Sequence, residues 1–280
     1  MDATTEYCAV ADVGDIEQIR QRGYAVKREV FQAQEILVIN SRIRDYLTQP
    51  HPGIVYETDD STVRGIHGPH LYDGFFDSLI RDPRLLSVAE DLLGEPCYVH
   101  QMKINMKQRM RGESWPWHQD FIYWHRGDGI PLPRMLNASM MLNDVDMLQG
   151  PLCYIPGSHL HGDLSVEPSS ADDWTRDLSK DLTYQIGHDT IDALFRSEAA
   201  EYMIGKAGDM LFFDPLLAHC SSTNLSPYDR MLLIVTYNTV ANVPKPGHPL
   251  QRPEFLCNRD HRPLAALQDS KYLEARGMDL

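Results

Sequence analysis

The stretch Cys97-Tyr98-Val99-His100-Gln101-Met102-Lys103-Ile104-Asn105-Met106 decides the fold class. Successive side chains of a strand point to opposite faces, so every second residue shares a face. This reading puts Tyr98, His100, Met102, Ile104 and Met106 on one face. Gln101 runs out of phase with the apolar residues and faces either solvent or a barrel interior. Residues 138–142, 152–155, 210–213 and 231–238 are further strand candidates, separated by clusters of Pro, Gly and Asp.

Upstream the texture is different. Residues 15–22 read as a short polar helix that ends near Gly23, and 24–30 as a strand. Residues 32–47 carry Ile36, Ile39, Ile43 and Leu47 at near-helical spacing. Residues 49–68 are rich in Pro, Gly, Asp and Thr and read as a loop. Residues 82–93 form a helix candidate: Asp82 caps it, Pro83 suits the first turn and Gly94 stops it. A helix over 190–199 would sit in a long insertion between strands, and 262–280 would add a loose helix. Helices come first and strands dominate afterwards. That order predicts a mainly β fold, a sandwich or barrel backed by helices, and not alternating βαβ units.

The chain has 280 residues, of which 42% are hydrophobic and 24% charged, ordinary proportions for a globular protein with a sizeable core. Its formal net charge of -14 argues against nonspecific nucleic-acid binding, which needs a basic surface. The five cysteines are odd in number and contain no CxxC. They fit a reducing cytoplasm better than a disulfide framework. No basic segment followed by an apolar run opens the chain, and no stretch of about 18 apolar residues occurs, so neither a signal peptide nor a membrane helix is expected. The oligomeric state is open, with a homodimer as one option.

The chemistry concentrates in Trp117-His118-Gln119-Asp120. In an extended strand, His118 and Asp120 would present an imidazole and a carboxylate side by side. His219 follows about a hundred residues later, just after the apolar run Met210-Leu211-Phe212-Phe213. Two histidines and one carboxylate can occupy one face of an octahedral Fe(II), leaving three positions open. A lone HxD means little among 12 histidines, most of which serve a surface or a core. The order HxD, long gap, His, then Arg is far more specific. Arg230 stands eleven residues after His219. A hairpin with its turn at 224–229 would bring the two together, and a guanidinium there can grip a carboxylate through two parallel hydrogen bonds. Bottom-up, Pro156-Gly157-Ser158-His159 reads as a turn closing a strand rather than a metal motif. Trp124 is read equally well as core packing or as a pocket wall.

Several stretches in combination resemble the phytanoyl-CoA dioxygenase superfamily, and within it the ectoine-hydroxylase-like branch. They are His100-Gln101-Met102-Lys103-Ile104-Asn105, Trp117-His118-Gln119-Asp120-Phe121, Trp124-His125 with Asp128-Gly129-Ile130-Pro131, and Gly150-Pro151-Leu152. Ile155-Pro156-Gly157-Ser158-His159, Gly208-Asp209, His219-Cys220-Ser221, Arg230 and Arg252-Pro253-Glu254-Phe255 complete them. The resemblance implies a double-stranded β-helix, the cupin-like jelly roll, with flanking α-helices. The resemblance covers roughly 95–260, the expected jelly-roll core, and the first ninety residues carry little of it; with the mostly helical part read over 1–94, one domain over 1–280 is expected.

By the same resemblance His118, Asp120 and His219 bind Fe(II). Arg230 binds the distal carboxylate of 2-oxoglutarate, with Asn105 and Ser221 adding hydrogen bonds. Gln101, Trp124, Phe213 and Arg252 face the substrate. The implied enzyme consumes 2-oxoglutarate and O2 and hydroxylates a small polar molecule. A carboxylate at 120 favours hydroxylation over halogenation, which needs a small residue there. Tyr123 and Arg126-Gly127 depart from the ectoine-hydroxylase pattern, as does the N-terminal third. A free amino or imino acid, or a related natural-product intermediate, is therefore the expected substrate, with ectoine as the alternative. A metal-binding jelly roll without catalysis, or a zinc hydrolase on the same ligands, would have no use for Arg230.

Overall fold

The computed structural model describes residues 13–166, 174–249 and 252–274. Cys8, the opening of the chain and the end of the 262–280 segment lie outside them. In chain order the elements are α1 (Val13–Arg22), β1 (Tyr24–Lys27), α2 (Ala33–Tyr46), β2 (Ile54–Tyr56), β3 (Val63–His67), α3 (Gly74–Leu79), α4 (Pro83–Leu93), β4 (Cys97–Lys107) and β5 (Trp115–His118). They continue with α5 (Phe121–Asp128), β6 (Met135–Met141), β7 (Leu152–Tyr154), α6 (His188–Ser197), β8 (Glu201–Tyr202), β9 (Met210–Phe213), β10 (His219–Ser221) and β11 (Arg230–Thr239).

Two antiparallel sheets form the jelly roll. The larger has the order β1-β9-β6-β11-β4-β3-β2, the smaller β5-β10-β7-β8. Strand β11 explains why its sequence is a continuous apolar run. Leu233 and Val235 pack outward with Met102, Ile104, Ala138 and Met140 against Ile36, Ile39 and Ile43 of α2 and Leu85, Leu86 and Ala89 of α4. Leu232 and Ile234 point the other way, into the space between the sheets, with Leu152, Leu211, Phe213 and Leu217. A strand buried on both faces loses its polar alternation. Each fully buried aliphatic side chain contributes about 1.5–3 kcal/mol, so this double layer carries much of the stability.

The caps read from sequence are present. The Asp82 side chain accepts from the backbone N–H of Arg84, and Gly94 adopts a left-handed φ of 70° while its N–H bonds Glu90. Asp82 also accepts from the hydroxyls of Ser270 and Tyr272, which ties the C-terminal segment to α4.

Four expectations are corrected. Residues 49–68 contain the hairpin β2–β3, which extends the larger sheet. The Gly53 that signals a loop is required by close approach: a Cβ there would stand 1.9 Å from the His67 carbonyl oxygen. With β1, the residues before 94 therefore give three strands to the jelly roll. Second, the β4 register skips a residue between the pairs Gln101–Thr236 and Val99–Tyr237, leaving His100 in a bulge. Val99, not His100, joins Met102 and Ile104 in the outer core. Third, the described part of 262–280 holds only a 3-10 turn at Lys271–Leu273. Fourth, His219 and Arg230 do not form a hairpin, because β10 and β11 belong to different sheets.

Candidate active site

Strands β5 and β10 pair in antiparallel register with His118 opposite His219. Asp120 is not extended. It has φ -70° and ψ -36° and stands at the N-terminus of α5, which the sequence reading missed. The chain turns from strand to helix immediately after His118, and that turn brings the carboxylate beside the imidazole. His118 Nε2 lies 3.9 Å from one Asp120 oxygen, and His219 Nε2 lies 3.9 Å from the other. These separations are too long for hydrogen bonds and suit ligands that converge on one ion. Among the described residues, His118, Asp120 and His219 form a buried group whose ligand atoms all lie within 4.8 Å of one another.

The protonation states fit a metal. His118 Nδ1 is 2.7 Å from the Pro116 carbonyl, and His219 Nδ1 is 2.9 Å from the Leu217 carbonyl. A carbonyl only accepts, so Nδ1 carries the proton in both rings and Nε2 offers its lone pair. Burial, then the neighbouring His219, lowers the pKa of His118 to about 3, and burial lowers that of His219. Burial alone would raise Asp120, but Lys103 and the two imidazoles outweigh it and bring the value to about 2. Two neutral imidazoles and one carboxylate make the ligand set that suits Fe(II). Asn137 donates to Asp120 Oδ2 at 2.9 Å, and Lys103 Nζ lies 3.4 Å from Oδ1. Lys103 was legible: with Gln101 and Asn105 it occupies alternate positions of one strand face. Asn137 had no such signal, because its role depends on the pairing of β6 with β11.

The three ligands open on a cavity that is also lined by Asn105, Ser221, Arg230, Gln101, Trp124 and Arg252. Arg230 is 2% exposed, its Nε has no hydrogen-bond partner, and no carboxylate of the described residues is within ion-pair distance. Burial, with Arg64 nearby, pulls its pKa down to about 9. An uncompensated buried guanidinium is costly, and a bound carboxylate relieves that cost. Donor set and orphaned arginine together fit iron plus a carboxylate-bearing cosubstrate.

Gln101 faces the interior and donates to the Leu256 carbonyl at 2.9 Å. Arg252 Nη1 donates to the Tyr123 carbonyl and to Asp128 Oδ2, both at 3.1 Å, and His100 Nε2 reaches the same Asp128 oxygen at 3.0 Å. His100, Asp128 and Cys257 also lie close enough to hold an ion. The guanidinium already engages Asp128 there, so the group anchors Arg252. Trp124 is both pocket wall and packing: it borders the cavity and meets His100 edge-on at 5.7 Å. Phe213 is not on the cavity wall. It packs in the inter-sheet core and against the His219 ring, 5.4 Å between centroids. Ser158 and His159 lie in a short 3-10 turn, and His159 bonds the Arg20 carbonyl, as a turn reading requires. Tyr123, noted from sequence only as a departure from the ectoine-hydroxylase pattern, also lines the cavity, as does Asp177, which was not singled out.

Comparison with known proteins agrees with this geometry. Residues 19–232 match the model of the phytanoyl-CoA dioxygenase family. The chain is 38% identical over 234 residues to an L-proline trans-4-hydroxylase of Streptomyces griseoviridis, covering 82% of this chain and 86% of that protein. It is 31% identical over 265 residues to an ectoine dioxygenase of Bordetella bronchiseptica, covering 90% and 85%. The crystal structure of EctD from S. alaskensis with bound Fe superposes with a TM-score of 0.79 at 27% identity, covering 95% of this chain and 90% of that one. EctD with 2-oxoglutarate and 5-hydroxyectoine gives 0.76 at 28% identity, covering 95% and 88%. The chain belongs to the phytanoyl-CoA dioxygenase family and is an iron- and 2-oxoglutarate-dependent dioxygenase.

Proposed function

We propose that this enzyme hydroxylates a free amino or imino acid or a closely related natural-product intermediate, with His118, Asp120 and His219 as iron ligands. Arg230, Asn105 and Ser221 are assigned to 2-oxoglutarate, and Arg252, Gln101 and Trp124 to the substrate. The observation that carries the substrate assignment is a second buried arginine in the same cavity. Arg252 is fixed by Asp128 and by a backbone carbonyl, and its Nε has no partner among the described residues. A cavity with two guanidiniums suits two carboxylates, one from the cosubstrate and one from the substrate. The relatives that act on L-proline and on ectoine support the same class.

Bound iron supplies O2 activation coupled to oxidative decarboxylation of 2-oxoglutarate to succinate and CO2. The chain's own work is positional. Arg230 orients the cosubstrate by its distal end. Lys103 and Asn137 fix the Asp120 carboxylate. Leu178 and Leu182 add apolar lining that helps exclude water. Arg252 sets which carbon of the substrate faces the iron ligands. No described helix is long and apolar enough to cross a membrane. The free cysteines Cys97, Cys153, Cys220 and Cys257 support the reducing interior of a cell as its location.

The test is succinate formation from 2-oxoglutarate with Fe(II) across a panel of amino acids, imino acids and ectoine. Substrate-dependent succinate with a product heavier by one oxygen supports the reading. Stimulation by ectoine alone replaces it with the second reading, and succinate that no panel member stimulates counts against both.

A further inference from the structure

Asp177 lies on a 3-10 turn, Trp174–Leu178, inside the long insertion between β7 and β8. With Tyr123, Trp124 and Arg252 it lines the cavity, and Arg252 is near enough to lower its pKa. Thr183 lies beside the carboxylate and draws its pKa down. Its Oδ1 atom is buried and has no hydrogen-bond partner among the described residues. Asp177 forms no salt bridge among the described residues. A buried carboxylate oxygen without a donor is costly, and such atoms are rare unless something absent from the free protein completes them. Burial pushes its pKa up, while Thr183 and Arg252 pull it back.

We infer that Asp177 is the specificity residue for a cationic nitrogen, and that with Arg252 it reads the two charges of a zwitterionic substrate. This rests on the proposed function and narrows it. In a free amino or imino acid the ammonium is one carbon away from the carboxylate. A guanidinium and a carboxylate lining one cavity match that pair. The arrangement also rejects simple carboxylic acids, which leave the buried Oδ1 of the half-buried Asp177 unpaired. Asp177 touches no residue of the proposed iron or 2-oxoglutarate sites by any hydrogen bond in the structure, so it acts on substrate choice.

The alternative is that Asp177 only props the loop at Thr183. The two roles separate on substrate discrimination. The probes are L-proline and cyclopentanecarboxylate, which has the same ring and carboxylate with carbon in place of nitrogen. Substrate-dependent succinate formation gives kcat/KM for each. The wild-type enzyme is expected to prefer L-proline by about 100-fold or more. Asp177→Asn keeps a hydrogen-bonding side chain for the loop and removes the charge. It should bring the preference to within a few-fold, with the change mainly in KM for L-proline. Thr183→Val, which loosens the carboxylate without removing it, should cut the preference less and reads the same ratio if the Asn variant does not fold. Thermal unfolding of each variant checks the fold. An undiminished preference in the folded variants overturns the inference and leaves the proposed function standing. A wild-type enzyme stimulated by no amino or imino acid overturns both. Where another panel member is the better substrate, the same ratio is taken against its desamino acid.

Discussion

His118 and His219 stand opposite each other across two paired strands, with ring centroids 4.1 Å apart, and each ring is locked by the carbonyl two residues before it in sequence. The pairing of β5 with β10 therefore sets the distance, and two local hydrogen bonds set the tautomer. Asp120 is added by the strand-to-helix turn. Strand pairing and local hydrogen bonds of the chain itself thus hold the three side chains in place.

Arg230 is the proposed grip on 2-oxoglutarate, since it is buried without a counter-charge. Arg230→Ala should weaken 2-oxoglutarate binding by about 100-fold, with Arg230→Lys between the two because a single ammonium cannot make the bidentate contact. Anaerobic binding measurements on the Fe(II) enzyme check this. An unchanged affinity in the alanine variant would remove Arg230 from the role.

Asp128 acts through Arg252. Its buried carboxylate holds both that guanidinium and His100. Asp128→Asn should raise KM for the substrate about 10-fold or more, because small displacements of a positioning group are expensive. KM for 2-oxoglutarate should stay put. Equal increases in both constants would point to general damage to the barrel.

Lys107 gives the pH dependence. It is 2% exposed beside Arg230, and burial followed by Arg230 lowers its pKa to about 6 from an ordinary 10.5. The unfolded chain therefore holds this proton between pH 6 and 10.5 while the folded chain does not, and folding stability rises with pH across that window. The stability of the apo wild type relative to Lys107→Met should climb with pH between 7 and 9, by about 1.4 kcal/mol per unit at most. Chemical denaturation at several pH values measures it. A pH-independent difference contradicts the assignment.

Gly208 is a backbone requirement. Its φ is +93°, and a Cβ would stand 1.9 Å from the Phe31 carbonyl oxygen, which leaves no room for a side chain. Gly208→Ala should cost about 2–4 kcal/mol. A denaturation midpoint close to wild type would show that the turn before β9 yields more easily than this packing suggests.

The legible parts were those fixed by local chemistry. Asp82 and Gly94 cap a helix wherever they stand, and the Met210–Phe213 run is a strand in almost any sheet. The imidazole and carboxylate of His118 and Asp120 were found from spacing, although a turn rather than an extended strand joins them. What sequence could not give depends on the other sheet. Val63–His67 hid as a loop because Arg64 is buried by its ion pair with Glu57 at 2.7 Å, so its polarity misled. His219 and Arg230 line one cavity from strands of different sheets, not from one hairpin. Phe213 supports His219 from behind because β9 pairs with β6. Asp177 sits in an insertion whose position no periodicity reports.

The central claim is that one iron is bound by these three side chains. Anaerobic titration of Fe(II) into the purified chain, with and without His118→Ala and His219→Ala, tests it most directly. The account predicts one equivalent bound per wild-type chain and none in either variant. A full equivalent retained by both variants would contradict it.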